Sequence, residues 1–375
     1  MPPPGKEENA VSMDCLLVAD DLTGACDAAV HFAARGLRPA TVLVARGTGA
    51  AGARMLALST ESRDLPPAEI RRALAAAAAE FPIDSAARVF HKIDSTLRGN
   101  TGLEIAAGLE SFHCDAAVVC PAFPKMHRVV EDGFLRVTSA PDFAPIDVAA
   151  RLQLQSGHPY ARTLPDGIAA LLSAGARFVS VDANCDLDLD RIAAAILPIG
   201  RRILWVGSAG LASALARLLA EPCAPPPAPA RSGPALFCIG SDHPVTIAQQ
   251  RSLLAQRPSV LAATQESICH ALARGQHAIL RIPRGLVSVE HLRHLIAAAP
   301  AAALVLSGGD TASLVCRAAR VQRIELSDEI VPGVPRGILH GGEFDAVSVA
   351  TKSGGFGDRD TLIHIADYFS CPKLT

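Results

Sequence analysis

Short aliphatic runs alternate with alanine- and leucine-rich stretches of helical spacing along almost the whole of this chain. That alternation is what most limits the fold, because strand, helix and strand in repeated succession build parallel sheets covered by helices. Strands are expected near Cys15–Ala19, Thr41–Ala45, Met55–Ser59, Arg88–Ile93, Ala116–Cys120, Phe178–Val181 and Ile203–Val206, with helices such as Ile70–Glu80, Leu103–Glu110 and Leu211–Ala220 between them. Further strands are expected at Ala235–Ile239, Ala278–Ile282, Ala303–Leu306, Arg323–Leu326 and Ala346–Ala350. Aromatic residues make up only 4% of a chain that is 50% hydrophobic, so the core must be aliphatic, as in sheets buried on both faces.

The length of 375 residues is large for one core, and a proline-rich stretch from Glu221 to Ala230 offers a boundary, since proline fixes φ and lacks a donor. The reading is therefore two α/β domains with largely parallel sheets and an active site in the cleft between them. Residues 13–221 form the first, 222–233 an extended linker, 234–375 the second, and 1–12 a disordered tail. With 35 basic and 37 acidic residues there is no electrostatic footprint for a nucleic acid. No apolar run reaches the ~18 residues of a membrane span, and the N-terminal residues lack a signal-peptide core. The ten cysteines show no C-x-x-C pair, so they read as reduced, mostly buried thiols of a cytoplasmic protein.

Polar residues gather where the strands end. His91-Lys92-Ile93-Asp94-Ser95-Thr96-Leu97-Arg98-Gly99-Asn100 follows one strand, Asp20-Asp21-Leu22-Thr23-Gly24 another, and Thr60-Glu61-Ser62-Arg63 a third. In open α/β sheets, ligands bind outside the carboxyl ends of the strands. One acid of the Asp20-Asp21 pair is explained by helix capping; the second adds only repulsion unless it has a function. In the second half, Ser307-Gly308-Gly309-Asp310-Thr311, Lys352-Ser353-Gly354-Gly355-Phe356-Gly357 and Gly240-Ser241-Asp242-His243 are glycine turns at strand ends, suited to cradling a polyphosphate on backbone N–H groups. No P-loop motif occurs. Gly47-Thr48-Gly49-Ala50-Ala51-Gly52 matches G-x-G-x-x-G literally, but an aliphatic run follows it where the dinucleotide fingerprint needs a helix.

These ordered motifs, with Pro121-Ala122-Phe123-Pro124, Gly207-Ser208-Ala209-Gly210 and Pro332-Gly333-Val334-Pro335, resemble the four-carbon acid sugar kinases, which phosphorylate threonate, erythronate and related tetronates with ATP. The resemblance implies an N-terminal domain for the acid sugar, a C-terminal domain for ATP, and Mg²⁺ on the triphosphate. On the substrate side, Arg63, Lys92 and Arg98 suit the carboxylate. Asp20, Asp21, Asp94 and Ser95 suit the hydroxyls, and Asp21 or Asp94 is the candidate base. On the nucleotide side the candidates are Ser241, Gly308, Gly309, Asp310, Thr311, Gly354 and Gly355, with Asp310 orienting the metal. Two stretches depart from the family pattern: Lys125-Met126-His127-Arg128-Val129, where a Gly-Arg-Thr-like segment is expected, and Asp242-His243, where small hydroxyl residues are usual. The competing readings are an NAD-linked hydroxy-acid oxidoreductase and a non-catalytic acid-sugar-binding protein. Partners are expected to be small molecules; stereoisomer, hydroxyl phosphorylated and oligomeric state are left open.

Overall fold

A computed structural model of the protein describes residues 13–45, 47, 52–199, 202–222 and 233–370. The first half contains β1 (Cys15–Ala19), α1 (Leu22–Ala33), β2 (Ala40–Leu43), β3 (Met55–Ser59), α2 (Pro67–Glu80), β4 (Val89–Lys92), α3 (Thr101–Ser111) and β5 (Ala116–Cys120). It continues with β6 (Arg128–Glu131), β7 (Phe134–Val137), β8 (Ile146–Asp147), α4 (Val148–Ser156), β9 (Ala161–Thr163), α5 (Ile168–Ser173), β10 (Phe178–Val181), α6 (Asp186–Ile196), β11 (Ile203–Gly207) and α7 (Ala209–Leu218). The second half contains β12 (Ala235–Ile239), α8 (Pro244–Gln256), β13 (Ser259–Ala262), α9 (Gln265–Ala273), β14 (His277–Arg281) and α10 (Val289–Ile296). After these come β15 (Ala303–Ser307), α11 (Gly309–Ala318), β16 (Arg323–Glu329), β17 (Pro335–His340), β18 (Ser348–Lys352) and α12 (Thr361–Ser370).

The two halves share one sheet. Its fifteen strands run β13-β14-β12-β15-β18-β17-β16-β2-β3-β1-β4-β11-β5-β10-β9, and β2 of the first half pairs antiparallel with β16 of the second, Thr41 opposite Glu325. Only the β2–β16, β16–β17 and β17–β18 pairs are antiparallel; the remaining pairs of this sheet are parallel, as the aliphatic runs predict. The strand seam is reinforced by α1, which packs against α7, β2 and β3 on one side and β16, β17, β18 and α11 on the other. Its sequence, LTGACDAAVHFA, is mostly small residues, so neighbours approach closely and all but His31 of its twelve residues are buried.

Chain direction reverses at two places in the sheet. From β1 the chain builds outward through β2 and β3 on one side and β4 on the other; from β12 it builds through β13 and β14 on one side and β15 on the other. Helices at such switch points leave on opposite faces and open a crevice at the strand ends. The polar cluster after β1 faces that after β4, and the glycine turn after β12 faces that after β15.

A separate three-stranded antiparallel sheet, β6-β7-β8, was not expected from the sequence. Its hairpin turns at Asp132-Gly133, both with positive φ (52° and 78°), the Asp-Gly signal of a type I′ turn. The strands β9, β13 and β17 were also unforeseen, being short or, for β17 (Pro-Arg-Gly-Ile-Leu-His), opened by strand-breaking residues. The described cysteines are free thiols, six of the eight buried. No helix among the described residues is long and apolar enough to cross a membrane. The expected tail 1–12 and all but the ends of the expected linker lie outside the described residues, as do Thr48–Ala51 of the G-x-G-x-x-G stretch. Of that stretch, Gly47 and Gly52 are described, and a Cβ on either would meet nothing within 4 Å.

Candidate functional site

Two cavities open at the two switch points. The larger, about 890 Å³, lies against the ends of β1 and β4 and is lined by Asp21, Lys92, Asp94, Ser95, Arg98 and Arg128 among others. The smaller, about 480 Å³, is lined by Ser241, Gly308, Gly309, Asp310, Thr311, Gly354 and Gly355, all seven residues expected on the nucleotide side. Asp21, Arg63, Arg98, His243, Ser353 and Gly355 border both. The cavities therefore communicate, and Asp21 stands at their junction.

Asp21 owes that position to two helices. It caps α1, its Oδ1 accepting from Gly24 N at 2.5 Å and from Thr23 Oγ1 at 3.3 Å. Across the seam it reaches the first residue of α11: a Cβ on Gly309 would lie 2.7 Å from Asp21 Oδ2, so only glycine admits the carboxylate there. The turn preceding α11 also needs glycine, because Gly308 has φ +106°. Gly24 is required for the same reason as Gly309, since its Cβ would lie 2.7 Å from Asp21 Oδ1 and 3.2 Å from Lys92 Nζ.

Asp20 does not reach either cavity. Successive side chains of an extended segment point to opposite sides, and Asp20, 1% exposed, turns inward. There it accepts from Arg63 through both oxygens, at 2.7 and 2.9 Å. Burial pushes its carboxyl up, against the pull of Arg63. The same guanidinium reaches Asp21 Oδ2 at 2.5 Å and lies 3.9 Å from Asp94. Burial alone would weaken the Arg63 cation, but Asp20, Asp21 and Asp94 more than offset it and raise its pKa. Asp20 thus lies beneath the site instead of meeting substrate, and Arg63, although it borders both cavities, is already engaged by Asp20 and Asp21 and is not the free cation expected for a carboxylate.

Asp94 is equally committed. Its Oδ1 accepts from Thr96 N at 2.9 Å and Thr96 Oγ1 at 2.5 Å, and its Oδ2 accepts from Arg98 Nε at 3.1 Å and from Arg98 Nη2. Burial would raise its pKa, but Arg98, Arg63 and these hydrogen bonds hold the carboxyl far below its ordinary range. Such a group is a poor proton acceptor, and geometry points away from Asp94 as the base.

Of the lysines and arginines that line the larger cavity, Arg63, Arg98 and Lys125 are ion-paired, and Lys92 and Arg128 have no carboxylate within ion-pairing distance. Lys92 is 4% exposed, and its Nζ donates to Ile93 O at 2.9 Å. Arg128 donates to Met126 O, its Nε is buried without a partner, and its guanidinium lies over the Phe356 ring at 5.4 Å. Burial holds the Arg128 pKa down, against the pull of Asp94. Sequence reasoning passed over Arg128, which sits in the Lys125–Val129 departure, and Phe356, which meets Phe123 edge-on at 6.3 Å across the cleft.

On the other side of the cleft, Lys352 is fully buried and its Nζ donates to Ser353 O at 2.8 Å, Phe356 O at 3.2 Å and Gly354 O at 3.3 Å. It gathers the carbonyls of the last glycine loop. Burial lowers it to about 7. Asp310 is exposed and paired with Arg284 at 2.8 Å, and Asp242, an acid beside the cavity where small hydroxyl residues are usual, is paired with Arg281 at 2.6 Å.

Comparison with known proteins agrees with this division. A family model described as a sugar-binding N-terminal domain matches residues 15–148 and 145–215, and one described as a nucleotide-binding C-terminal domain matches residues 246–362. A cleft holding unpaired cations on one side and glycine turns on the other, in a chain matching both models, defines a small-molecule phosphotransferase. Over 93% of this chain and 96% of its own, the D-threonate kinase of Bordetella bronchiseptica is 34% identical. The D-erythronate kinase of Heliobacterium modesticaldum (94% and 96% covered) and a 3-oxo-tetronate kinase of Cupriavidus necator (92% and 94% covered) are each 28% identical. The chain belongs to the four-carbon acid sugar kinase family. Its fold is also that of a solved Salmonella typhimurium protein (TM-score 0.74, 21% identity, 95% and 99% covered) and a Haemophilus influenzae protein (TM-score 0.70, 20% identity, 95% and 100% covered).

Proposed function

We propose that this protein transfers the γ-phosphoryl group of ATP to a hydroxyl of a four-carbon sugar acid. Residues 13–221 bind the acid and residues 234–375 the nucleotide. The observation that carries the reading is the pair formed by buried Lys92 and half-buried Arg128, neither with a carboxylate within ion-pairing distance, in a cavity that opens through Asp21 onto the glycine turns. A buried cation is stable only with a counter-charge, and a tetronate carboxylate supplies it. Three D-threonate kinases are 30 to 34% identical to this chain, against 28% for the D-erythronate kinase of Heliobacterium modesticaldum, so D-threonate is the first substrate to test.

In this reading Lys92 and Arg128 hold the carboxylate, and Ser95 and Arg98, the latter kept in place by Asp94, contact the hydroxyls. Asp21 accepts a hydrogen bond from the attacking hydroxyl and orients its oxygen toward the phosphate. Phosphoryl transfer depends chiefly on such positioning, so the proton need leave only as the new P–O bond forms, passing to Asp21 while ADP departs. The polyphosphate suits the turns at Ser241, Gly308–Thr311 and Gly354–Gly355 because they line one cavity at the N-terminus of α11, whose dipole favours an anion. Asp310, paired with Arg284, would hold Mg²⁺ through its carboxylate, the hard oxygen donor that this ion takes. When bound, Mg²⁺ neutralises charge on the triphosphate.

The test is ADP release over D- and L-threonate, D- and L-erythronate and their 3-oxo derivatives. Turnover with one of them, dependent on ATP, is expected. ATP binding without turnover on any member would leave a binding protein, and a nicotinamide absorbance change with a tetronate would favour the oxidoreductase.

A further inference from the structure

Asp27 is the one acid inside α1, a helix composed, apart from His31, of small and apolar residues packed between the two halves. It lies six residues beyond Asp21, roughly 9 Å along the helix axis at 1.5 Å per residue, and is not needed for the chemistry described above. One turn further, on the same face, is His31. Facing both from the second half is Glu329, the last residue of β16. One ligand atom from each of the three, two carboxylate oxygens and an imidazole nitrogen, lies within 4.8 Å of the others.

These groups are poorly satisfied by the protein. Asp27 is 5% exposed and its Oδ1 has no hydrogen-bond partner; His31 Nε2 is likewise buried and unpartnered. Glu329 is fixed from one side only: its Oε1 accepts from Gly333 N at 2.7 Å, while Oε2 faces His31 Nδ1 at 4.0 Å. That is how a ligating carboxylate is oriented by its surroundings, with one oxygen anchored and the other free.

We propose that Asp27, His31 and Glu329 form a divalent transition-metal site that ties α1 of the first half to β16 of the second. Two carboxylates balance a dication, and the imidazole nitrogen selects Zn²⁺, Mn²⁺ or Co²⁺ over Mg²⁺ or Ca²⁺, which prefer oxygen alone. Three protein ligands would leave coordination positions open, and Asp27 also lines the larger cavity, so the site borders it. This ion is distinct from the Mg²⁺ that accompanies a nucleotide, and it needs no nucleotide to bind.

The experiment reads metal rather than turnover. The full chain, stripped with EDTA, is titrated with Co²⁺ while the visible d–d absorption is followed, then challenged with Zn²⁺ and separately with Mg²⁺. Expected are saturation at one equivalent, displacement by Zn²⁺ and none by Mg²⁺, with affinity lowered at least ~10-fold in His31→Gln and in Glu329→Gln. Asp27→Asn, nearly isosteric, serves as the further variant, and circular dichroism reports whether each is folded. Absence of a saturable Co²⁺ site in the wild-type chain overturns the proposal. So does wild-type affinity in any folded variant, or displacement by Mg²⁺ at concentrations comparable to Zn²⁺.

Discussion

Lys92 and Arg128 separate substrate binding from chemistry at the level of single residues. Removing the hydrogen-bonded charge at Arg128 should raise the KM for the sugar acid by about 10-fold or more, since such bonds contribute about 1.5–3 kcal/mol. The KM for ATP should stay where it was. Steady-state kinetics on Arg128→Ala check this, and an increase confined to ATP would reverse the assignment of the two cavities. Asp21→Asn should lower kcat by about 10²-fold, the scale of a lost base. Asp94→Asn should instead raise the KM for the acid, because it releases Arg98; equal kcat losses in the two variants would argue against Asp21 as the proton acceptor. Asp21, Lys92 and Asp94 were legible in the sequence because they crowd the ends of strongly aliphatic strands. Their neighbour Asp20 read identically and differs only in pointing inward, which no local pattern reveals. Arg128 was illegible because its role depends on where a turn after Pro124 lays it, against Phe356 from the far end of the chain. Gly309 carries a consequence for both cavities: with its missing Cβ 2.7 Å from Asp21, Gly309→Ala should depress kcat as well as ATP affinity.

At the level of elements, the parallel strands were readable because burial on both faces writes them as aliphatic runs, whereas β6, β7 and β17 mix charges, glycine and proline, and are held by partners far away or by a turn. Helix α3 shows what such placement costs. Its Glu104 is wholly buried beside Asp20, accepts from Ser62 Oγ at 2.5 Å, and is pushed up to about 8 by burial and then by Asp20. Because the folded state keeps a proton that the unfolded chain releases above its ordinary range near 4.3, this contribution to stability is full at acid pH. It is lost as pH rises through about 8. Lys352, lowered to about 7, runs the opposite way, its contribution lost as pH falls through that value, so the informative quantity is a difference. Thermal unfolding of the wild type should fall relative to Glu104→Gln between mildly acidic and mildly alkaline pH. A constant gap between the two curves would mean that Glu104 is ionised in the folded protein.

For the whole molecule, the alternation of elements announced two α/β units but not that they would share a sheet, because the β2–β16 pairing joins segments nearly three hundred residues apart and neither strand signals its partner. The consequence is mechanical. A pair of domains connected only through the chain from Glu221 to Gly233 would come apart once that connection was cut. Here the four-residue register from Ala40–Leu326 to Leu43–Arg323 continues the sheet, and α1 packs on strands of both halves, so their association does not depend on the connection. Relative motion must then be a twist about the β2–β16 seam rather than a free swing, which suits a cleft whose two cavities meet at Asp21. A protease site introduced between Glu221 and Gly233 and cleaved after folding should leave the halves eluting as one species on size exclusion under native conditions, with kinase turnover retained. Separation on cleavage would show that the seam is too weak to hold the site together, and that the connection maintains the facing of Asp21 to Gly309.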